Sequence, residues 1–364
     1  MCQHADKASC FRTLAANPAV TCVNRTSTAR WLEQLQWPPR FVVPESAAVF
    51  ESLRVEMRRQ LWELLGKLPA RPKSPKVEIV SCQPCDDYLV EKLKIDNGAG
   101  AVAPGYLLLP RERRVKAPAI LFCHWHGGDY AVGKEELFQA SHCPEPPGPA
   151  FARCGFVVLG IDAYCFGERN GEGPGSLEQG LEGESSASKF NLWFGRTLWG
   201  MILRDDLIAL DYLVTRLEVD PERIGVTGIS MGATRAWWLM ALDERIKTAV
   251  AVACLTRYQN LIEHQAINAH GIYYFVPNFL AHFDTEAVIS LLAPRPVLFQ
   301  TGDQDAGSPA DGIRSIEKAV VPAYRLYGKQ QNFQNRVYSG LGHVYAPEMW
   351  AETLAWMKEK LQQR

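Results

Sequence analysis

The chain has 364 residues, 47% of them hydrophobic, and a formal net charge of -1. That length buries one large core or two ordinary ones, and α/β folds of this size commonly form a single domain. Basic residues are scattered, which excludes an electrostatic footprint for nucleic acid or an anionic membrane, and no apolar run approaches the roughly 18 to 20 residues of a membrane helix. Met1-Cys2-Gln3-His4-Ala5-Asp6-Lys7 lacks the basic-then-apolar layout of a signal peptide, so the expected location is the cytoplasm. The ten cysteines follow no spacing framework and are expected to be reduced; Cys82 and Cys85 form an isolated C-x-x-C with no second pair at zinc spacing.

Residues 1 to about 40 are mixed and contain the helix-stopping Trp37-Pro38-Pro39, which predicts a partly ordered leader. From Ser46, Phe50, Leu53, Met57, Leu61, Leu64, Leu65 and Leu68 recur at three- and four-residue steps, the mark of an amphipathic helix. Pro69, Pro72 and Pro75 then form a linker, so residues 1–75 read as a leader with a helical extension and 76–364 as the main body. The body opens with alternating runs at Val77–Val80, Tyr88–Ile95 and Tyr106–Leu109, separated by Asn97-Gly98 and Gly105 and read as antiparallel edge strands. Continuous apolar runs follow at Ala119–Cys123, Phe156–Ile161, Arg223–Ile229, Thr248–Ala253 and Pro296–Gln300, with helical patterns between them, notably Leu203, Leu207, Leu210, Leu213, Val214 and Leu217. A short strand over Asn335–Tyr338 and an amphipathic helix from Pro347 to Gln362 end the chain. The expected fold is α/β: a mostly parallel, eight-stranded, doubly wound sheet with antiparallel N-terminal strands. Insertions at about 138–150 and 166–200 are long enough to be lids or binding loops, and the aromatic end of the second, Phe190 to Phe194, reads equally as a pocket lining or as a pin to the core.

The body is organised around Arg223-Ile224-Gly225-Val226-Thr227-Gly228-Ile229-Ser230-Met231-Gly232, a β-branched run entering Gly-x-Ser-x-Gly ahead of a helical segment. This is the strand, sharp turn and helix of a nucleophile elbow, where side chains two positions either side of the serine would collide with the neighbouring backbone. A serine hydroxyl needs a base to accept its proton, and the base needs a carboxylate to fix its tautomer. Both partners must follow in the order Ser, Asp, His, on loops at the C-terminal edge of the sheet. Asp303 and Asp305 lie just after the run Pro296–Gln300; Asp303 abuts the strand end, where it suits a turn cap, and Asp305 has the extra reach, so Asp305 is favoured. Of eight histidines, His343 alone follows a terminal strand in a glycine-flanked loop beyond that acid. His264, His270 and His282 read as hydrogen-bonded surface or pocket residues. Oxyanion donors are expected from the N–H of Met231, at a helix N-terminus, and from Cys123-His124-Trp125-His126-Gly127-Gly128, with His126 the first choice and Trp125 the second. The His-x-His pair there lacks a third metal ligand, and the chemistry requires no metal or cofactor.

Arg204-Asp205-Asp206-Leu207, Val219-Asp220-Pro221-Glu222-Arg223-Ile224-Gly225 leading into Gly-Ile-Ser-Met-Gly, the upstream His-x-His-Gly-Gly, Leu292-Ala293-Pro294-Arg295-Pro296 and the late Gly-Leu-Gly-His occur in order. Together they resemble the dienelactone hydrolase-like and acetyl xylan esterase-like branch of the α/β-hydrolase superfamily over about residues 76–364. The resemblance implies Ser230, Asp305 and His343 as a triad acting on a small-molecule carboxylic ester. Dienelactone hydrolases carry a cysteine where Ser230 stands, so the resemblance does not extend to dienelactone as substrate. A small-peptide peptidase of prolyl-oligopeptidase type and a non-catalytic binding relative are the alternatives. The first normally carries a propeller, for which 75 residues are too few, and the second normally lacks a triad member.

Overall fold

Val77–Pro84 (β1), Tyr88–Asp96 (β2), Val102–Pro110 (β3), Ala117–Cys123 (β4), Val157–Ile161 (β5), Val219–Ile229 (β6), Ile246–Val252 (β7), Val297–Gly302 (β8) and Phe333–Tyr338 (β9) form one sheet in the order β1-β2-β3-β5-β4-β6-β7-β8-β9. These come from a computed structural model that describes residues 34, 37, 41–111, 116–171 and 178–362. The chain divides into Met1–Trp37 and Pro38–Arg364, and every element named here belongs to the second unit. The leader expected over residues 1–40 lies outside the described residues, Gln34 and Trp37 excepted.

β1, β2, β3 and β5 pair antiparallel, and from β5 onward every pairing is parallel. The sheet has nine strands, one for each run read from the sequence, so the expected total of eight is one short; the β1–β2 hairpin, with Val77 opposite Ile95, forms its antiparallel margin. Gly105 does not separate two strands either. It lies inside β3, where a Cβ would come 3.1 Å from the carbonyl of Gly160 on β5, so its bareness permits close strand approach.

The central runs are apolar without alternation because both faces are covered. Ala119, Leu121 and Cys123 of β4 enter one core while Ile120 and Phe122 enter the other. The first core is closed by the helices Ala47–Leu65 (α1), Leu198–Leu213 (α4), Met231–Leu242 (α5), Thr285–Ser290 (α7) and Ala310–Leu326 (α8). The second is closed by Pro147–Arg153 (α2) and Pro347–Gln362 (α9). Gly180–Trp193 (α3) and Tyr258–Glu263 (α6) lie in the connections above the sheet's C-terminal edge. Phe50, Met57, Leu61 and Leu65 of α1 are buried on the main core, as the three- and four-residue spacing requires. α4 stops at Leu213, a turn short of the apolar pattern, and leaves Leu217 84% exposed.

The 166–200 insertion is largely helix, since α3 occupies 14 of its residues. Its aromatic end faces mostly solvent, Trp193 being 89% and Phe194 60% exposed, while Phe190 is half-buried. The buried face of α3 is instead Gly183, Glu184, Ala187, Ser188 and Asn191. Among the described residues, no helix is long and apolar enough to cross a membrane.

Candidate active site

β6 ends at Ile229, and the chain reverses at Ser230 with φ 58 and ψ -117 before entering α5. A left-handed φ on a non-glycine residue is strained and persists only where the surroundings enforce it. Here the Ser230 N–H donates to the carbonyl of Val252 at 2.8 Å, and Thr234 N–H donates back to the Ser230 carbonyl at 3.0 Å. The flanking glycines have a measurable reason: a Cβ on Gly228 or Gly232 would sit 2.2 or 2.0 Å from the Cys123 carbonyl oxygen. Strand β4 and the elbow are therefore in backbone contact, which brings the loop after Cys123 beside Ser230.

Ser230 Oγ lies 2.9 Å from His343 Nε2, and His343 Nδ1 lies 2.8 Å from Asp305 Oδ2. The three side chains are 75 and 38 positions apart in sequence and come from the loops after β6, β8 and β9. Asp305 is 2% exposed at its side chain and His343 34%, so a sheltered carboxylate backs an imidazole that opens to solvent. The second oxygen of Asp305 accepts the Gly307 N–H at 2.9 Å. Asp303 points elsewhere: its Oδ1 accepts the Gly340 N–H at 2.8 Å, bracing the acid loop against the histidine loop. Gln304 N–H adds a bond to the Leu341 carbonyl at 2.9 Å, and Gly302 is so close that a Cβ would lie 2.1 Å from the same carbonyl oxygen.

The other histidines have separate partners. His264 meets Asp311 at 3.0 Å, His270 meets the Gly307 carbonyl at 2.9 Å, and His282 meets Gln60 at 2.5 Å. Burial pushes His270 below its usual range, and it stacks on Tyr274 with ring centres 4.2 Å apart. His124 is fully buried, and desolvation holds it well below the usual imidazole range. Neutral, it donates from Nδ1 to the Trp125 carbonyl at 2.7 Å and accepts the Ala163 N–H at Nε2, 3.1 Å. Among the described residues, no group of three or more His, Cys, Asp or Glu is placed to hold a metal ion.

The two oxyanion choices on the β4 loop separate. Trp125 is excluded, because its N–H is spent on Glu136 Oε2 at 2.6 Å. The N–H groups of His126 and Met231 have no partner among the described residues. The Trp125 indole instead forms a wall, its ring centre 3.9 Å from that of His142 and 5.7 Å from that of His343. Glu136 is 1% exposed, and burial lifts its carboxyl to about 8 despite the Trp125 N–H and the Arg235 guanidinium, which both pull it down. Arg235, on α5, is itself buried and forks onto Asp206 at 2.9 and 2.5 Å.

Sequence reasoning misses two residues here. One is Glu136; the other is Glu184 on α3, whose Oε2 lies 2.7 Å from His126 Nε2. No local signal marks either: Glu184 shares the buried face of α3 with Gly183, Ala187 and Ser188, and only the fold brings that face to His126.

A mostly parallel sheet with a strand–turn–helix elbow at Ser230, and with Asp305 and His343 on the loops after β8 and β9, has the architecture of an α/β-hydrolase. The chain belongs to the Abhydrolase family, whose model matches residues 28–345. It is 36% identical over 311 residues to YtaP of Bacillus subtilis (strain 168), a provisionally named hydrolase, covering 85% of this chain and 100% of that protein. Among solved structures, a provisionally assigned acetyl xylan esterase from Bacteroides fragilis NCTC 9343 superposes with TM-score 0.71 at 19% identity, over 91% of this chain and 94% of that one. A glucuronoyl esterase from Solibacter usitatus gives 0.67 at 17%, over 90% and 98%. At these identities the structural likeness speaks for the fold.

Proposed function

We propose that the protein is a serine carboxylic-ester hydrolase. Ser230 Oγ attacks the ester carbonyl carbon as its proton passes to His343 Nε2. The carbonyl electron pair moves onto oxygen, and the N–H groups of Met231 and His126 hold the resulting charge. Collapse breaks the bond to the alcohol, which leaves with the proton from His343. Water then repeats the sequence on the acyl-enzyme and frees the acid. Asp305 keeps the His343 proton on Nδ1 and stabilises the imidazolium.

The observation that carries this reading is the continuous contact from Ser230 Oγ to His343 Nε2 at 2.9 Å and from His343 Nδ1 to Asp305 at 2.8 Å. The names of the structural relatives support an ester borne by a carbohydrate as the substrate class, and the 34% exposure of His343 suits a bulky alcohol group. A fluorophosphonate probe is expected to label the wild type but not Ser230→Ala, with short-chain aryl esters turned over well ahead of aminoacyl amides. Equal labelling of both proteins discards the assignment.

A further inference from the structure

The segment Trp125–Gly128 has no regular structure to stiffen it, and Gly127 and Gly128 both take left-handed conformations, φ 51 and 77. It is nevertheless held from two sides by glutamate carboxyl groups that are each 1% exposed. From the turn Gly133–Phe138, Glu136 Oε2 accepts the Trp125 N–H at 2.6 Å. From α3, Glu184 Oε2 meets His126 Nε2 at 2.7 Å and accepts from the Tyr130 hydroxyl at 3.1 Å. The tautomer of His126 follows from its other nitrogen: Gly128 N–H donates to Nδ1 at 3.1 Å, so Nε2 carries the proton and donates to Glu184. Tyr273 stacks on the same ring with centres 5.0 Å apart.

Oε1 of each glutamate is buried without a hydrogen-bond partner among the described residues. Buried carboxyl groups with an oxygen left unpartnered are unfavourable whether or not they hold a proton, so two converging on adjacent residues of one loop require a return beyond packing. What they bracket is the His126 N–H, with one grip on the amide before it and the other on the side chain of the same residue. We propose that Glu136 and Glu184 are positioning residues that fix the His126 N–H as an oxyanion donor, and that the 166–200 insertion serves catalysis through Glu184. This inference rests on the serine-hydrolase reading of Ser230.

The test measures kcat, KM and melting temperature for the full chain and for Glu184→Gln, Glu184→Leu and Glu136→Leu on p-nitrophenyl acetate. Inhibition by an aryl boronic acid, whose tetrahedral adduct with serine mimics the intermediate, is measured in parallel. Losing a whole oxyanion donor costs about 100- to 1,000-fold in kcat; a displaced one is expected to cost ~30- to 100-fold in the leucine variants. KM should stay within about twofold and the boronate Ki should rise in step with the fall in kcat. Glu184→Gln keeps an oxygen for His126 Nε2–H and is expected to lose only ~3- to 10-fold. Leucine variants with wild-type kcat, losses confined to KM, or an unchanged boronate Ki overturn the proposal. Where the leucine variants do not fold, Glu184→Gln decides alone, since wild-type kcat in that protein overturns it equally. A wild type that is neither labelled nor active sinks the serine-hydrolase reading itself, whereas an active, labelled wild type with unaffected variants sinks only this inference.

Discussion

Replacing Asp305 by asparagine separates the two aspartates of the acid loop. Asp305 uses both oxygens, Oδ1 for the Gly307 N–H at 2.9 Å and Oδ2 toward His343 Nδ1 at 2.8 Å. An asparagine has one acceptor oxygen, and the Gly307 N–H, fixed by its turn, can be met only by that oxygen. The amide NH2 then faces His343 Nδ1, which must become the acceptor, and the ring proton moves to Nε2. In that tautomer His343 cannot take the Ser230 proton. A wrong-tautomer base typically costs about 10⁴-fold in kcat, or about 5 kcal/mol of barrier at 1.36 kcal/mol per tenfold. Asp303→Asn keeps the oxygen that accepts the Gly340 N–H, so it is expected to stay within about twofold of wild type. Steady-state hydrolysis of p-nitrophenyl acetate, with melting temperature as the folding control, distinguishes the two. A larger loss in Asp303→Asn, or more than a tenth of wild-type kcat surviving in Asp305→Asn, refutes the reasoning.

Two further outcomes follow from packing and burial. Gly232→Ala places a Cβ 2.0 Å from the Cys123 carbonyl oxygen and 3.0 Å from that of His124, so the β4 loop must move; about 1 to 3 kcal/mol of stability in urea unfolding and most of the esterase activity should go, and wild-type values for both would contradict the close approach. Glu136 is lifted from an ordinary 4.5 to about 8, so the folded state binds the extra proton and stability falls as pH rises through that window. The full effect approaches about 5 kcal/mol at most, at 1.36 kcal/mol per unit. Glu136→Gln removes the slope, so its melting temperature should gain on the wild type between pH 5 and pH 8, and parallel curves would show that Glu136 does not titrate there.

Much of this architecture is legible in the sequence because it rests on local patterns. The apolar runs at 119–123 and 296–300 are unbroken since both faces of their strands are covered, and the elbow glycines announce a backbone contact. The helix spacing from Phe50 to Leu65 declared its buried face. The longer reach expected of Asp305 shows in its contact with His343, whereas Asp303 stays on the Gly340 turn. What escaped depends on tertiary partners. Nothing in the spacing of Trp125 says that its amide is spent on a glutamate eleven residues on, and nothing local marks Glu184 as the residue that meets His126. Trp193 and Phe194 mislead for the opposite reason: aromatic residues read as pocket or core, yet the buried face of α3 is Gly183, Glu184, Ala187, Ser188 and Asn191.

The position of His343 has a consequence for how such a molecule fails. β9, the strand it follows, is the last in the sheet and pairs on one side only. An edge of the sheet thus carries the proposed proton acceptor, while the proposed nucleophile follows a central strand flanked by two others. Fraying begins at margins, where local opening needs less free energy than global unfolding. Warming this protein should therefore silence it while most of its secondary structure is still intact.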